Sequence, residues 1–200
     1  MTEQKPILVV AFGLAAWVAG AQPANDNFAN AAPLIGTAGT TNGDNTLATL
    51  EPCETNAVNT PLYTDDTITN SVWYAWTAPA SGTLELDTDG STPDSDFVLS
   101  AWTSTNAMPT MCDGNLTNIA SDDDSQMDAA FNSYSQIIIP VVAGTTYYIE
   151  VSSYDDGTPG DNVGAYVLNW GATLPTLPAG TEVRGVFRRG VASDSGRPPI

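Results

Sequence analysis

The sequence predicts an all-β domain: an antiparallel two-sheet sandwich, jelly-roll-like, with eight to nine strands. Three observations predict it. Short segments alternate apolar and polar residues with a period of two. Thr, Asn, Asp, Gly and Ser fill the stretches between them, which is turn chemistry. Helical periodicity is almost absent. Short connections without intervening helices favour antiparallel neighbours stacked as two sheets. An immunoglobulin-like sandwich is the alternative. Its Cys–Trp–Cys pattern is poorly matched, because Cys53 sits between Pro52 and Glu54 rather than in a clear strand.

The elements follow in order. A single helical turn is expected near Asn27–Ala32, capped by Asn25 or Asp26. Short strands are expected near residues 34–37 and 46–50. In residues 71–77, SVWYAWT, Val72, Tyr74 and Trp76 share one face and Trp73 and Ala75 the other. Residues 82–87 turn Leu84 and Leu86 inward and Glu85 and Asp87 outward. Residues 96–102 group Phe97, Leu99 and Ala101. A shorter candidate covers residues 116–121. In residues 136–142, QIIIPVV, Pro140 points to an edge strand or a bulge. Residues 145–151 turn Tyr147, Ile149 and Val151 inward and Glu150 outward. Residues 164–170 align Tyr166, Leu168 and Trp170.

The boundaries come from composition. Residues 1–21 read as a secretory signal: a weakly basic start, the apolar run Ile7–Ala19, then Ala19-Gly20-Ala21 as a cleavage site. The run is shorter than the roughly 20 residues that span a bilayer, so no membrane insertion is expected after cleavage. Residues 22–171 hold the sandwich. Residues 172–200 read as a Pro/Gly-rich linker and basic tail.

Charge is distributed unevenly. The formal net charge is −18, yet the five Lys and Arg all lie at Lys5 or from Arg184 onward. Residues 22–183 hold twenty-one Asp and Glu, and the chain has no His. Such a surface repels nucleic acid. Without His there is no Ser-His-Asp site, and without basic residues in the domain there is no phosphate clamp. Only carboxylate chemistry remains, such as a glycosidase pair, and nothing in the sequence selects a pair. Cys53 and Cys112 are expected to form a disulfide in an exported chain; the alternative is two buried thiols.

The acidic loops raise the question of a cation. Calcium takes six to eight oxygens, mostly from carboxylates, carbonyls and water. Candidate groups are Asp87 and Asp89 with Asp94 and Asp96; Asp122, Asp123 and Asp124 with Asp128; and Asp155 and Asp156 with Asp161 and Asn162. The metal set expected here is Asp122, Asp123, Asp124, Asp155, Asp156 and Asp161. Solvated turn aspartates are the other reading. Exposed aromatics beside hydrogen-bonding groups would instead favour sugar binding. Trp73, Trp102 and Tyr154 are candidates, and Tyr154, beside Asp155, is the best placed.

Several stretches resemble one family. NDNFANA at residues 25–31, SVWYAWTAP at 71–79, SDFVL at 95–99, SDD at 121–123, AGTTYYI at 143–149 and GAYVL at 164–168 occur together in this order. They are similar to the pre-peptidase C-terminal (PPC)-like β-sandwich domains of bacterial extracellular proteins. SDFVL lacks the Asp-Thr usual in that strand. The resemblance covers about residues 25–170. It implies a noncatalytic secreted or cell-surface accessory or adhesion module, with calcium at loop carboxylates. The implied partners are an extracellular polysaccharide or surface component, and other domains of a larger secreted protein. A carbohydrate-binding module of a secreted enzyme is the alternative, and a carboxylate-dependent hydrolase stands behind both.

Overall fold

The computed structural model describes residues 20–54, 67–92, 95–127, 133–155, 157, 158, 160 and 162–175. Their chain order is a 3-10 turn (Phe28–Asn30) and strands β1 (Ala32–Pro33), β2 (Ala38–Asp44), β3 (Ile68–Thr77), β4 (Gly82–Asp87), β5 (Phe97–Ser104), β6 (Leu116–Asp122), β7 (Gln126–Met127), β8 (Ser133–Tyr134), β9 (Gln136–Val141), β10 (Thr146–Tyr154) and β11 (Ala165–Thr173). One sheet has the order β1-β3-β10-β5-β6 and a second β2-β11-β4-β9; β7 and β8 form a separate pair. The β1–β3 pairing is parallel and the others are antiparallel. The fold is a β-sandwich.

The main core lies between the sheets and follows the alternation of the sequence. Val72, Tyr74 and Trp76 meet Phe97, Leu99 and Ala101, and Tyr147, Ile149 and Val151, from the first sheet. Leu84, Leu86, Ile137, Ile139, Val141, Tyr166 and Leu168 face them from the second. Pro140 falls on β9, an edge strand, the place in a sheet where proline is tolerated.

Strand β2 departs from the expected pattern. Its sequence, AGTTNGD, has no alternating large apolar residues, so nothing in it marks a strand. Its pairing with β11 places Gly39 opposite Trp170 and Gly43 opposite Tyr166. A Cβ at either glycine would collide with the facing ring. The two rings of β11 therefore cover the inward positions of β2, and the glycines make room for them.

Residues 46–50 form no strand. Asn70, at φ 52°, donates its amide to the carbonyls of Asn45, Thr46 and Ala48 at 3.1, 3.3 and 2.9 Å. A side chain thus satisfies this backbone in place of a ladder. Residues 34–37 form no strand: the ladder pairing is at Ala32–Pro33, Leu34 N still donates to the Ala75 carbonyl at 2.9 Å, and the Gly36 carbonyl accepts from Trp76 Nε1 at 2.8 Å.

The helical turn is N-capped by Asn27 without a side-chain bond. Asn25 donates instead to the Trp73 carbonyl, and Asp26 accepts from Thr49 N and Oγ1 at 2.6 and 2.9 Å. The cap candidates are thus engaged in long-range contacts that hold the N-terminal segment to β3 and to residue 49.

The outer face of the five-stranded sheet is also covered, so that sheet is buried on both sides. Phe28, Trp73 and Trp102 form a second cluster there, with Ala31, Met111, Leu116 and Tyr148 packed against it. Phe28 meets Trp73 edge-on at a centroid distance of 5.0 Å. Cys53 and Cys112 form a disulfide across a sequence separation of 59 residues. It ties residues 51–54 to the loop after β5.

Candidate functional site

Three carboxylates converge at one end of the five-stranded sheet. Asp96, Asp123 and Asp124 each place an oxygen within 4.8 Å of the others. The β5–β6 pairing explains this. Leu99 lies opposite Asp122 in antiparallel register, so the residues just before β5 adjoin those just after β6. Asp124 is exposed and the other two are partly buried. Three hard oxygen donors on one site are the chemistry calcium uses. Without a cation, like charges at this spacing repel one another, with water screening the exposed Asp124 most.

Asp122 is used differently. It is buried, and its Oδ2 accepts from Gln136 N at 2.8 Å and Ser125 N at 3.3 Å. That joins the turn after β6 to the start of β9. Asp155 is not part of the converging group; its Oδ1 accepts from Gly157 N at 3.0 Å. Asp156 and Asp161, together with Asp94 and Asp128 of the other candidate groups, lie outside the described residues.

Sequence proximity groups Asp96 with Asp87, Asp89 and Asp94, on the far side of a turn. The signal that links it to Asp123 and Asp124 is strand pairing. One acid precedes a strand and two follow its antiparallel neighbour.

A second carboxylate pair lies on the outer face of the same sheet. Glu54 Oε1 accepts from Trp73 Nε1 at 2.5 Å and from Ser71 Oγ at 2.9 Å, and its other oxygen accepts from Glu51 N. Glu150 Oε2 accepts from Trp102 Nε1 at 3.0 Å, while Oε1 has no partner among the described residues. Both glutamates are fully buried. Glu150 points away from the main core, as its alternation predicts, yet it is not exposed, because the second cluster roofs this face. Burial, reinforced by the nearby Glu54 charge and opposed by the Trp102 bond, pushes the Glu150 acid up to about 8. Burial also raises Glu54, against the hydrogen bonds from Trp73, Glu51 and Ser71. These acids are closed to solvent, so they do not form an open pair that a substrate could enter.

The aromatic candidates divide. Trp73 is fully buried and Trp102 nearly so, in the second cluster. Tyr154 is half-buried against Ile68 and Val98.

The fold and its loops define the class: a disulfide-linked β-sandwich with one group of acids converging at a strand end and one pair sealed beneath aromatic rings. Residues 70–153, from within β3 to within β10, match the family model of the bacterial pre-peptidase C-terminal domain. The chain carries a PPC-like domain, an accessory type of module. Among solved structures, the chain is similar to the pre-peptidase C-terminal domain of collagenase from Bacillus anthracis. The identity is 14%, the match covers 70% of this chain and 93% of that one, and the TM-score is 0.40. No curated protein matches the chain.

Proposed function

We propose that the chain is a secreted, noncatalytic accessory module that attaches a larger extracellular protein to a surface component or polysaccharide. The observation that carries this reading is the PPC match over residues 70–153. The sealed state of the Glu54–Glu150 pair supports a noncatalytic role. The test is co-sedimentation of the full chain with insoluble extracellular polymers: polysaccharides, cell-wall material and fibrous protein. Retention on one of these, without turnover of it, is the expected outcome. Hydrolysis of any polymer by the purified chain would overturn the reading.

Calcium is part of the proposal. Asp96, Asp123 and Asp124 would hold it, with backbone carbonyls and water completing the shell. The ion would remove the repulsion among the three carboxylates and clamp the start of β5 to the turn after β6. A ligand at one hundred times its Kd stabilises the folded state by about 3 kcal/mol. Calcium should therefore raise the melting temperature at low salt, and chelator should reverse the shift. Asp124→Asn should reduce the response. Identical melting curves with calcium and with chelator would remove the ion from the account.

A further inference from the structure

A groove of about 310 Å³ crosses the disulfide-tied end of the five-stranded sheet. Ser104, Thr105 and Asn106, at and just beyond the end of β5, form one wall. Thr145 and Thr146, at the start of β10, form the other, and Tyr148 lines the groove between them. Its volume is at the small end of the roughly 300–1,000 Å³ usual for ligand sites, so it suits one or two rings rather than a long segment. We propose that this groove binds a neutral sugar unit of a polysaccharide, with Tyr148 as the stacking platform and the wall hydroxyls and amide as hydrogen-bonding partners.

Three observations carry the proposal. First, Tyr148 is set in place: Phe28 packs against it at a centroid distance of 4.8 Å and an interplanar angle of 47°, and Phe28 is itself wedged on Trp73. Tyr148 remains half-buried and borders the groove. A fixed ring of this kind stacks on the C–H face of a sugar with little loss of side-chain freedom.

Second, the described lining residues carry no charged side chain, in a domain rich in acids and without bases. The Thr105 and Thr145 hydroxyls, with the second N–H of Asn106, whose Oδ1 already accepts from Met108 N at 3.2 Å, match the neutral donors and acceptors of a polyol. An anionic polymer would be repelled by the domain as a whole. Third, the walls are braced. Asn106 Nδ2 donates to Asp113 Oδ2 at 3.1 Å, Asn106 N donates to Ser104 Oγ at 3.0 Å, and Thr146 Oγ1 bonds Thr77 Oγ1 at 2.9 Å. The disulfide at Cys112 anchors the loop beyond.

This inference rests on the attachment reading in its carbohydrate form, and the experiment separates the two. The full chain is titrated with neutral gluco-, xylo- and N-acetylgluco-oligosaccharides by NMR, and the polymer co-sedimentation is run in parallel. Binding is expected for at least one oligosaccharide. Thr145→Asp, which places a carboxylate in the groove, and Tyr148→Ala should each weaken it at least tenfold. Tyr148→Phe should keep it within about threefold. Melting curves show whether Tyr148→Ala remains folded, and Thr145→Asp leaves the Phe28 packing untouched.

If oligosaccharides bind equally well to wild type and Thr145→Asp, the groove is the wrong site while the carbohydrate reading stands. A loss confined to Tyr154→Ala likewise moves the site away from the groove. If the chain sediments with a polymer but binds none of the neutral oligosaccharides, the sugar assignment is overturned and the attachment reading survives. Binding to neither overturns both.

Discussion

Glu150→Gln should make the protein progressively more stable relative to the wild type as pH rises above about 5. The wild-type acid titrates at about 8 when folded and at its ordinary value of 4.5 when unfolded. The folded state therefore holds this proton more tightly. Stability from the neutral acid is fully present below about pH 4.5 and is lost as pH rises to about 8, beyond which the difference is constant. At 1.36 kcal/mol per pKa unit, the loss is about 3 kcal/mol by pH 7 and about 5 kcal/mol by pH 9. Those are large fractions of the roughly 5–15 kcal/mol that holds a domain together. The Gln amide cannot ionise, and it keeps an oxygen to accept from Trp102 Nε1. The two proteins should thus differ near pH 4.5 by a constant offset, set by the amide N–H groups that take the place of the unpartnered Oε1 and cost about 1–3 kcal/mol, and the variant should gain steadily on the wild type above that pH. Taking the difference between them cancels the titration of the acids that do not interact with Glu150, and leaves the Glu150 step together with its coupling to Glu54. The assay is urea unfolding at a series of pH values from 4.5 to 9, followed by tryptophan fluorescence. Trp73 and Trp102, bonded to Glu54 and Glu150, report directly on this cluster. Parallel pH profiles for wild type and variant would refute the reasoning.

Further outcomes follow from single contacts. Gly43→Ala drives a methyl into the Tyr166 ring, which is bonded to Tyr74 at 2.5 Å in the core. It should cost about 1–3 kcal/mol by chemical denaturation. The double change Cys53→Ser and Cys112→Ser opens a loop with a sequence separation of 59 residues and should cost about 4 kcal/mol on the chain-entropy model, read as a lower melting temperature. Asp122→Ala leaves Gln136 N and Ser125 N without their acceptor. It should destabilise by about 1–3 kcal/mol, a loss that added calcium does not restore. Acid should weaken the contacts of Asp44 to Thr46 and of Asp113 to Thr110 and Asn115. Those hydrogen bonds depress both acids, so their contribution is lost as pH falls through the folded values.

Most of the sandwich core could be read from the sequence because period-two burial leaves a direct record in residue type. Leu84 and Leu86, or Tyr147, Ile149 and Val151, carry their facing in their spacing. Strand β2 could not be read, since its inward positions are filled by rings from another strand. The sequence shows only Gly39 and Gly43, which look like turn residues. The acidic site was half legible. Asp123 and Asp124 are adjacent in sequence, but Asp96 joins them only through β5–β6 register, a long-range property. Glu150 was legible in direction and not in environment. Alternation sets which face a side chain takes, while the buried rings that cover it, Phe28, Trp73 and Trp102, come from residues more than thirty positions away.

The distribution of acids answers the question raised by a domain without cations. Most described carboxylates are matched to N–H or O–H donors rather than to charges. Asp26 takes Thr49, Glu51 takes Phe28 N, Asp44 takes Thr46 N, Asp122 takes Gln136 N, and Asp113 takes Thr110 N and Asn115 N. A carboxylate accepting backbone N–H groups gains charge-assisted bonds and closes loops that lie outside the ladders. This use of acids stabilises turns without long basic side chains, and it makes each loop depend on its own carboxylate. The Glu54–Glu150 pair departs from the pattern because indole N–H groups satisfy only part of it, and a retained proton supplies the rest. The Asp96–Asp123–Asp124 group departs from it in another way, since three carboxylates face one another at a strand end. The two clusters should therefore respond to different perturbations, the first to pH and the second to calcium. A protein stabilised by calcium but unchanged in its Glu150-dependent pH profile would show that they act independently.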